Sequence, residues 1–341
     1  MIILSDCLTE KIDEGCLKVA NSLSKNIKKM SEDTTIVSYG QKSECEDIHV
    51  KLNKLFLNRK LFKIIRKNKQ PILYIPFASN TFASCVRTFV LSLFSNHNIN
   101  VIFVIRFPMS RFSEKLLKLS KARIIALSEQ SFEFYRKIVG NRAFYLKTGI
   151  DTNKFIPVNE KEKLELRDKY KVPKDKKVVL HVGHLKSGRN VDKLAGISNE
   201  YHIVLVVSSV TQKEKDESIR ELLEKKGNVT IIEDYIKDVQ EVYQMSDTYV
   251  FPVTKMENCI DVPLSVLEAA ACNLPIVTTE YGEISSFKNE KGFYFLNDLS
   301  EKRLNDALKT MLNRNECNNR RAVLEYDWRT SIEKLMKKIN K

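Results

Sequence analysis

Asn258-Cys-Ile-Asp-Val-Pro-Leu-Ser-Val-Leu-Glu-Ala-Ala-Ala-Cys-Asn-Leu-Pro-Ile-Val-Thr-Thr-Glu-Tyr-Gly282 is the stretch of sequence that decides the fold. Pro263 suits the first position of a helix, and residues 264–272 continue it with helical residues. Asn273 and Pro275 end this helix before an apolar, β-branched run at residues 276–279. A helix that leads directly into a buried strand is typical of a parallel sheet covered by helices.

The same alternation of short apolar runs and longer helical stretches extends over the whole chain, which indicates two doubly wound α/β domains in tandem. With 341 residues, the chain is long enough for two domains that each bury a core. The strands are predicted at residues 2–4, 35–39, 72–75, 101–105, 123–126 and 143–146, and then at 178–182, 203–207, 229–232, 248–253, 275–279 and 292–295.

The start of the helix at residue 264 is suited to an anion. Free backbone N–H groups and the positive end of the helix dipole meet at Leu264, and the hydroxyl of Ser265 adds a donor beside them. Glu268 follows Ser265 by three residues and shares its face, where a carboxylate can accept hydrogen bonds from sugar hydroxyls. The alternative is that Glu268 caps or pairs inside the domain as a structural carboxylate.

A second informative stretch, Val178-Val-Leu-His-Val-Gly-His-Leu-Lys-Ser-Gly-Arg-Asn-Val-Asp192, joins a buried strand to a polar loop. Gly188 lets backbone approach a ligand closely, Lys186 supplies a cation, and Arg189 offers a fork of donors for a diphosphate. A helix is expected from residue 190 or 191. The stretch is neither G-x-G-x-x-G nor a P-loop, so a basic surface loop is the alternative interpretation.

Together the two stretches resemble family 4 glycosyltransferases of the GT-B fold. Residues 182–189 match the V-G-R-L-x-x-x-K-G-type loop of that family, and residues 267–278 match the end of its E-x7-E element, L-E-A-M-A-C-G-x-P-V-V. Three weaker matches come in the right order, at residues 148–157 (N-G-V-D-x-x-x-F-x-P), 246–252 (A-D-x-x-x-x-P) and 326–328. The resemblance covers about residues 120–340, and the first part of the chain matches in architecture only.

The resemblance implies an α/β, GT-B fold: two Rossmann-like, doubly wound domains with a cleft between them and a C-terminal helix that crosses back. The expected domains are residues 1–157 for the acceptor, residues 158–325 for the nucleotide sugar and a returning helix at 326–341. Members of family 4 retain the anomeric configuration of the sugar that they transfer. The resemblance therefore implies a retaining glycosyltransferase of hexosyltransferase type.

The resemblance also implies roles for residues of the second domain. The family's loop Lys, which contacts the nucleotide diphosphate, is Arg189 here, and the family's second Glu, which holds the ribose, is Glu268. Gly183 and Lys186 belong to the same donor-binding loop. His184 stands in place of the loop's Arg and is a pH-sensitive donor.

One family position is not matched: the first Glu of the E-x7-E element is Ile260 in this chain. Asp261, one position later, is predicted to take over the contact with the donor sugar, and a simple helix-entry aspartate is the alternative. Asp261 and Arg189 are the candidate catalytic residues. No catalytic nucleophile is assigned.

Two residues of the first domain are candidates for the donor or the acceptor. The family usually has a Gly-rich turn after strand one, and the corresponding stretch here, Lys11-Ile-Asp-Glu-Gly15, contains a single glycine. Gly15 either allows close approach of a ligand or is a plain turn glycine. Arg106 stands where the family often carries a His after the fourth strand, and it either faces the cleft or ends a strand. The chain contains no D-x-D motif, so neither a metal nor another cofactor is predicted.

Charge is distributed unevenly along the chain. The formal net charge is +14, of which residues 1–160 carry +12, with 26 Lys and Arg against 14 Asp and Glu. Residues 51–69 hold eight Lys and Arg and no acid, interleaved with apolar residues, as in a basic amphipathic interfacial helix. The predicted membrane face comprises Lys54, Arg59, Lys63 and Arg66. The alternative is an ordinary domain helix with a solvated basic side.

We expect a cytoplasmic protein, because the sequence shows neither a signal sequence nor a long apolar segment. The seven cysteines form no C-x-x-C pair, which favours reduced thiols. Within the cytoplasm, a peripheral position on the inner face of the membrane is expected.

The sequence therefore predicts transfer of a sugar from a nucleotide diphosphate sugar to an anionic acceptor that is lipid-linked or a polysaccharide. The alternatives are a non-catalytic glycosyltransferase-like protein, a GT-B nucleotide-sugar epimerase and a nucleic-acid-binding protein. No nucleic acid is expected as a partner, because the chain carries no DNA- or RNA-binding motif.

Overall fold

A computed structural model describes residues 1–9, 14–52, 58–67, 70–95, 98–207, 216–314 and 317–339 of the chain. It contains two compact units. Unit 1 comprises Met1–Gly149, Cys259–Val262 and Trp328–Lys341, and unit 2 comprises Ile150–Asn258 and Pro263–Asp327.

The described strands of unit 1 form one parallel sheet of seven strands in the order β3-β2-β1-β4-β5-β6-β7. Their bounds are β1 Ile2–Ser5, β2 Thr35–Ser38, β3 Ile48–His49, β4 Ile72–Ile75, β5 Ile99–Ile102, β6 Arg123–Ala126 and β7 Ala143–Tyr145. The sequence predicts six of these strands. It misses β3, because two half-buried residues produce no apolar run.

The described strands of unit 2 form a second parallel sheet, in the order β10-β9-β8-β11-β12-β13. Their bounds are β8 Lys177–Gly183, β9 Tyr201–Val207, β10 Val229–Ile232, β11 Thr248–Phe251, β12 Ile276–Thr279 and β13 Phe293–Leu296. Most of these strands are buried on both faces, which explains why they read as continuous apolar runs.

Helices follow most of the strands of both sheets, as is usual for connections between parallel strands. The bounds are α1 Gly15–Met30, α2 Arg59–Lys67, α3 Phe82–Phe94, α4 Arg111–Leu119, α5 Glu129–Val139, α6 Glu160–Lys169, α7 Glu217–Glu224, α8 Gln240–Gln244, α9 Leu264–Ala271, α10 Glu301–Leu312, α11 Asn319–Val323 and α12 Trp328–Ile339. The chain thus has two Rossmann-like units, as the sequence predicts.

The order of strands gives each sheet one switch point, where successive crossovers leave in opposite directions. It lies between β1 and β4 in unit 1 and between β8 and β11 in unit 2. In open α/β sheets, ligands bind at the carboxyl ends of the strands beside this point. The loops after β8 and β11 contain the two motifs singled out from the sequence, so unit 2 brings both to its switch point.

Residues 150–157 fold with unit 2, although the sequence assigns them to the first domain. Several contacts hold them there, including two with Asp327. Ile150 forms a parallel bridge with Asp327, and a carboxylate oxygen of Asp327 accepts a 2.7 Å hydrogen bond from the hydroxyl of Thr152. The last helix, α12, belongs to unit 1.

Candidate functional site

Arg189, in the loop after β8, is held by backbone atoms of unit 2. Its Nε donates to the carbonyl oxygen of Asn258 at 2.9 Å, and the side-chain amide of Asn258 donates to the carbonyl of Gly188. A Cβ built on Gly188 would lie 2.9 Å from the Asn258 amide nitrogen. A side chain at position 188 would displace the Asn258 amide, so glycine leaves room for this arrangement at the carboxyl end of the sheet.

At Asn190, where the sequence predicts the start of a helix, the backbone takes a left-handed conformation instead. Its φ and ψ are 56° and 30°, and two 3₁₀ helices, Ser187–Arg189 and Val191–Gly196, meet at it. Its amide donates to the carbonyl of Pro252 at 2.8 Å, which ties the loop after β8 to the loop after β11. An Asn at the family's Gly position is the sequence signal for this turn, because Asn tolerates positive φ.

Gly183, the last residue of β8, lies where two side chains converge. A Cβ built on Gly183 would lie 2.9 Å from Nη1 of Arg189 and 3.2 Å from Nε2 of His181. The sequence gives Gly183 a donor-binding role, and the structure adds that it makes room for these two side chains. The sequence assigns His181 no role, and its position beside Gly183 is a finding of the structure.

The other two candidates in the loop differ in exposure. Lys186 is exposed, and its amide donates to the carbonyl of His184 at 3.1 Å. His184 is 8% exposed and therefore lies largely inside unit 2. The roles of both residues toward a donor stay predictions.

The helix after the loop that follows β11 begins as predicted. Pro263 is the N-cap residue, and α9 runs from Leu264 to Ala271. Leu264 is buried, Ser265 is half-buried, and Asn273 ends the turn with a φ of 63°. The start of α9 therefore stands at the carboxyl end of the sheet, on the β11 side of the switch point.

Glu268 lies inside unit 2, at 4% exposure, and has a partner there. One carboxylate oxygen accepts a 2.7 Å hydrogen bond from the hydroxyl of Tyr243, on α8. Burial first, and then the charge of Glu268, raises the pKa of Tyr243 well above its ordinary value, so the phenol stays a donor. We therefore expect Glu268→Ala to lower stability as well, because it would leave the buried hydroxyl of Tyr243 without this acceptor.

Asp261 belongs to unit 1, whereas Arg189 and Glu268 belong to unit 2. The Asp261 amide donates to the carbonyl of Val104 at 2.9 Å, and its carboxylate accepts from the hydroxyl of Ser128 at 3.4 Å. Burial first, and then Asp261, raises the pKa of Tyr135 well above its ordinary value. The predicted contact between Asp261 and the donor sugar stays a prediction, and the carboxylate is fully buried.

The two candidates of unit 1 have neighbours within unit 1. Gly15 opens α1, and a Cβ built on it would lie 2.6 Å from Cδ1 of Ile260. The close approach that Gly15 permits is thus made here by Ile260. Arg106 donates to the carbonyl of Gln130 at 3.1 Å and lies over the ring of Phe134.

The described part of the basic segment is an amphipathic helix. In α2, Leu61 and Ile65 are buried, and Arg59, Lys63 and Arg66 are exposed. Lys54 lies outside the described residues. No helix among the described residues has the length and hydropathy that crossing a bilayer requires.

Metal ligands are not grouped in the described part of the chain: no three His, Cys, Asp or Glu side chains there could together hold an ion. Metal independence stays a prediction, because it concerns the reaction.

Asp247, from the A-D motif of the sequence, has a structural role. Its carboxylate accepts from Lys163 at 2.6 Å, from Arg167 at 2.6 Å and from the amide of Val178 at 2.7 Å. Although burial alone would raise it, these cations and this amide hold the pKa of Asp247 below its ordinary value. Asp247 thereby joins α6 to the amino ends of β8 and β11.

Comparison with known proteins finds similarity to glycosyltransferases. Residues 162–327 match the family model described as glycosyl transferases group 1. A curated relative is the Bacillus subtilis protein TuaC, whose name describes it as a teichuronic acid biosynthesis glycosyltransferase. It is 23% identical over 194 residues, which span 55% of this chain and 46% of that protein. The chain thus aligns with about half the length of this curated relative.

Solved structures share the fold over nearly the whole chain. A glycosyltransferase from Rickettsia africae superposes with a TM-score of 0.80 at 14% identity, covering 99% of this chain and 97% of that one. Anabaena Alr3699/HepE in complex with UDP and glucose superposes with a TM-score of 0.79 at 14% identity, covering 99% of both chains.

The two Rossmann-like units have the architecture of the GT-B fold, which the solved glycosyltransferase structures share. Residues 162–327 are similar to the group 1 glycosyltransferases. Membership of family 4 in particular stays a prediction.

Proposed function

We propose that this protein is a retaining glycosyltransferase of hexosyltransferase type that transfers a sugar from a nucleotide diphosphate sugar. The observation that carries the proposal is Arg189 at the carboxyl end of the second sheet. Neutral atoms hold its guanidinium there, so its positive charge is available to an anionic ligand. The family match over the same unit, and the UDP-bound relative, support a nucleotide sugar as that ligand.

Each group has a proposed role in the reaction. Arg189, with Lys186 and the start of α9 at Leu264 and Ser265, stabilises the negative charge that grows on the diphosphate as it leaves. Glu268 accepts hydrogen bonds from the ribose. The acceptor hydroxyl attacks the sugar from the face that the diphosphate leaves, which retains the configuration. No metal is assigned a role.

A screen for ligand-induced stabilisation tests the donor assignment. The protein is heated with UDP, GDP, ADP and TDP and with their sugars, and a ligand at 100 times its dissociation constant adds about 2.7 kcal/mol to the free energy of unfolding. The best sugar is then used for transfer assays in excess EDTA. Transfer without divalent metal supports the proposal, and strict dependence on Mn²⁺ or Mg²⁺ contradicts the metal-independent mechanism.

The same assays separate the alternatives. A nucleotide-sugar epimerase would convert the donor without any acceptor, and a non-catalytic relative would bind the donor without turnover. A nucleic-acid-binding protein would show no stabilisation by any nucleotide sugar.

We propose further that the acceptor is anionic, lipid-linked or a polysaccharide, and that unit 1 binds an anionic membrane surface from the cytoplasmic side. The exposed face of α2 supports this, because Arg59, Lys63 and Arg66 all point to solvent. Each Lys or Arg near an anionic surface contributes about 1 kcal/mol of attraction.

Charge reversal on α2 tests the membrane proposal. We expect Lys63→Glu with Arg66→Glu to weaken co-sedimentation with anionic vesicles and to leave nucleotide binding intact. The matched control is Lys302→Glu with Lys309→Glu, which reverses two exposed charges on α10 of unit 2. If the wild type, the α2 variant and the α10 control bind anionic vesicles equally, or if the wild type binds neutral vesicles equally well, the membrane proposal is wrong. The basic face of α2 is then an ordinary solvated surface.

A further inference from the structure

His181 is a buried histidine whose hydrogen bonding is half complete. It lies in the middle of β8 at 1% exposure, and its Nδ1 contacts the carbonyl oxygen of Val250, on β11, at 2.9 Å. A carbonyl oxygen can only accept, so Nδ1 carries the proton. Nε2 then presents a lone pair, and no described group hydrogen-bonds to it.

The ring is neutral as well as buried. Burial lowers the pKa of His181 to about 4; the Val250 carbonyl opposes this shift, and the nearby charge of Arg189 adds the smallest, lowering contribution. The ring also stacks on Tyr249, with ring planes 16° apart, which fixes its orientation. Nε2 is therefore a fixed acceptor near neutral pH.

The group that this acceptor faces is the guanidinium of Arg189. Both nitrogen atoms lie close to the open space beside Gly183, since a Cβ built on this glycine would lie 3.2 Å from Nε2 and 2.9 Å from Nη1 of Arg189. They are thus about 6 Å apart at most. A modest movement of the Arg189 side chain, which now donates from Nε to the carbonyl of Asn258, would bring Nη1 within hydrogen-bonding distance of Nε2.

We propose that Nε2 of His181 accepts a hydrogen bond from the guanidinium of Arg189 when a nucleoside diphosphate is bound, and that His181 is a positioning residue for Arg189. This inference rests on the proposed function. Two neutral acceptors, the Asn258 carbonyl and the imidazole, then orient the guanidinium and leave its charge for the diphosphate. A carboxylate at position 181 would orient it and cancel that charge.

A double-mutant cycle tests this role. The probe is whichever of UDP, GDP, ADP and TDP binds the wild-type protein most tightly, with affinities measured by calorimetry. We expect His181→Phe to weaken binding about tenfold or more in the wild-type background, because a hydrogen bond to a charged group is lost. In an Arg189→Ala background, the same change should alter affinity less than about twofold.

His181→Gln is the rescue variant, because its side-chain carbonyl can accept the same hydrogen bond. We expect it to recover part of the affinity that His181→Phe loses. Equal losses from His181→Phe in both backgrounds, or no loss in the first, would overturn the inference. Failure of the wild-type protein to bind any of the four nucleotides would instead refute the proposed function.

A second measurement uses no substitution of His181, so it does not depend on the folding of that variant. The chain has five histidines, and nitrogen-15 labelling resolves the unprotonated Nε2 of His181. We expect its resonance to move upfield when the same nucleotide is added to the wild-type protein, and to stay in place in Arg189→Ala saturated with that nucleotide. An unchanged resonance in the saturated wild-type protein would overturn the inference.

Discussion

The two ends of the sheet in unit 2 hold an arginine in opposite ways. At the amino end, the side chain of Arg167 is 3% exposed and donates to Asp247, which also pairs with Lys163. At the carboxyl end, Arg189 rests on the Asn258 carbonyl, and none of the carboxylates described in the structure forms an ion pair with it. A cancelled charge stabilises the fold, and a charge held by neutral atoms remains available to a ligand.

The largest effect is expected at the amino end. Asp247→Asn keeps the shape of the side chain and removes its charge, which leaves Arg167 inside the unit without an anion. We expect a loss of about 3–5 kcal/mol in the free energy of unfolding, measured by urea denaturation followed by circular dichroism. The control is Glu160→Gln, which removes a 4.0 Å contact with Lys163 from a side chain that is 73% exposed. A cost for Asp247→Asn as small as for this control would break the comparison.

Acid should remove the same interaction in the wild-type protein. The pKa of Asp247 is lowered from its ordinary 3.8, so its contribution to stability is complete above that value and is lost as the pH falls through the lower, folded-state pKa. We expect the stability difference between wild type and Asp247→Asn to be constant near neutral pH and to shrink below about pH 4. A difference that shrinks between pH 7 and pH 5 would assign the effect to another group.

Glu268 sharpens the comparison, because it is buried near the carboxyl end and yet has a role proposed in binding. Tyr243→Phe removes the internal hydrogen bond and keeps the carboxylate, whereas Glu268→Gln keeps an acceptor and removes the charge. We expect Tyr243→Phe to cost about 1 kcal/mol of stability and to leave nucleotide affinity nearly unchanged. We expect Glu268→Gln to weaken affinity about tenfold or more. The reverse pattern would make Glu268 a structural residue only.

The sequence predicts most of the fold, because buried parallel strands are continuous apolar runs and because residues 263–275 contain signals for both ends of α9. It does not predict that Cys259–Val262 fold with unit 1, since that depends on contacts of Ile260 and Asp261 with residues far away in the chain.

The site is predicted less completely than the fold. Motif positions indicate Arg189 and Glu268, but the local sequence contains no signal that Tyr243 donates to Glu268 or that Nε2 of His181 faces the same glycine as Arg189. The first arrangement joins helices that the sequence separates by 25 residues, and the second depends on the Val250 carbonyl, 69 residues from His181, which holds the ring in place. Asp247 is the opposite case. It lies in the stretch that resembles the family's A-D-x-x-x-x-P motif, but its contacts with Lys163 and Arg167 stabilise the fold.

The central claim is that the uncancelled charge of Arg189 recognises a diphosphate. The most direct test is calorimetric titration of the wild-type protein and of Arg189→Ala, each with the best nucleoside diphosphate and with the corresponding monophosphate. The control is Lys193→Ala, which removes an exposed cation of the same loop region that pairs with Asp192. We expect the preference for the diphosphate to fall about tenfold or more in Arg189→Ala and to persist in Lys193→Ala. An unchanged preference in Arg189→Ala would contradict the claim.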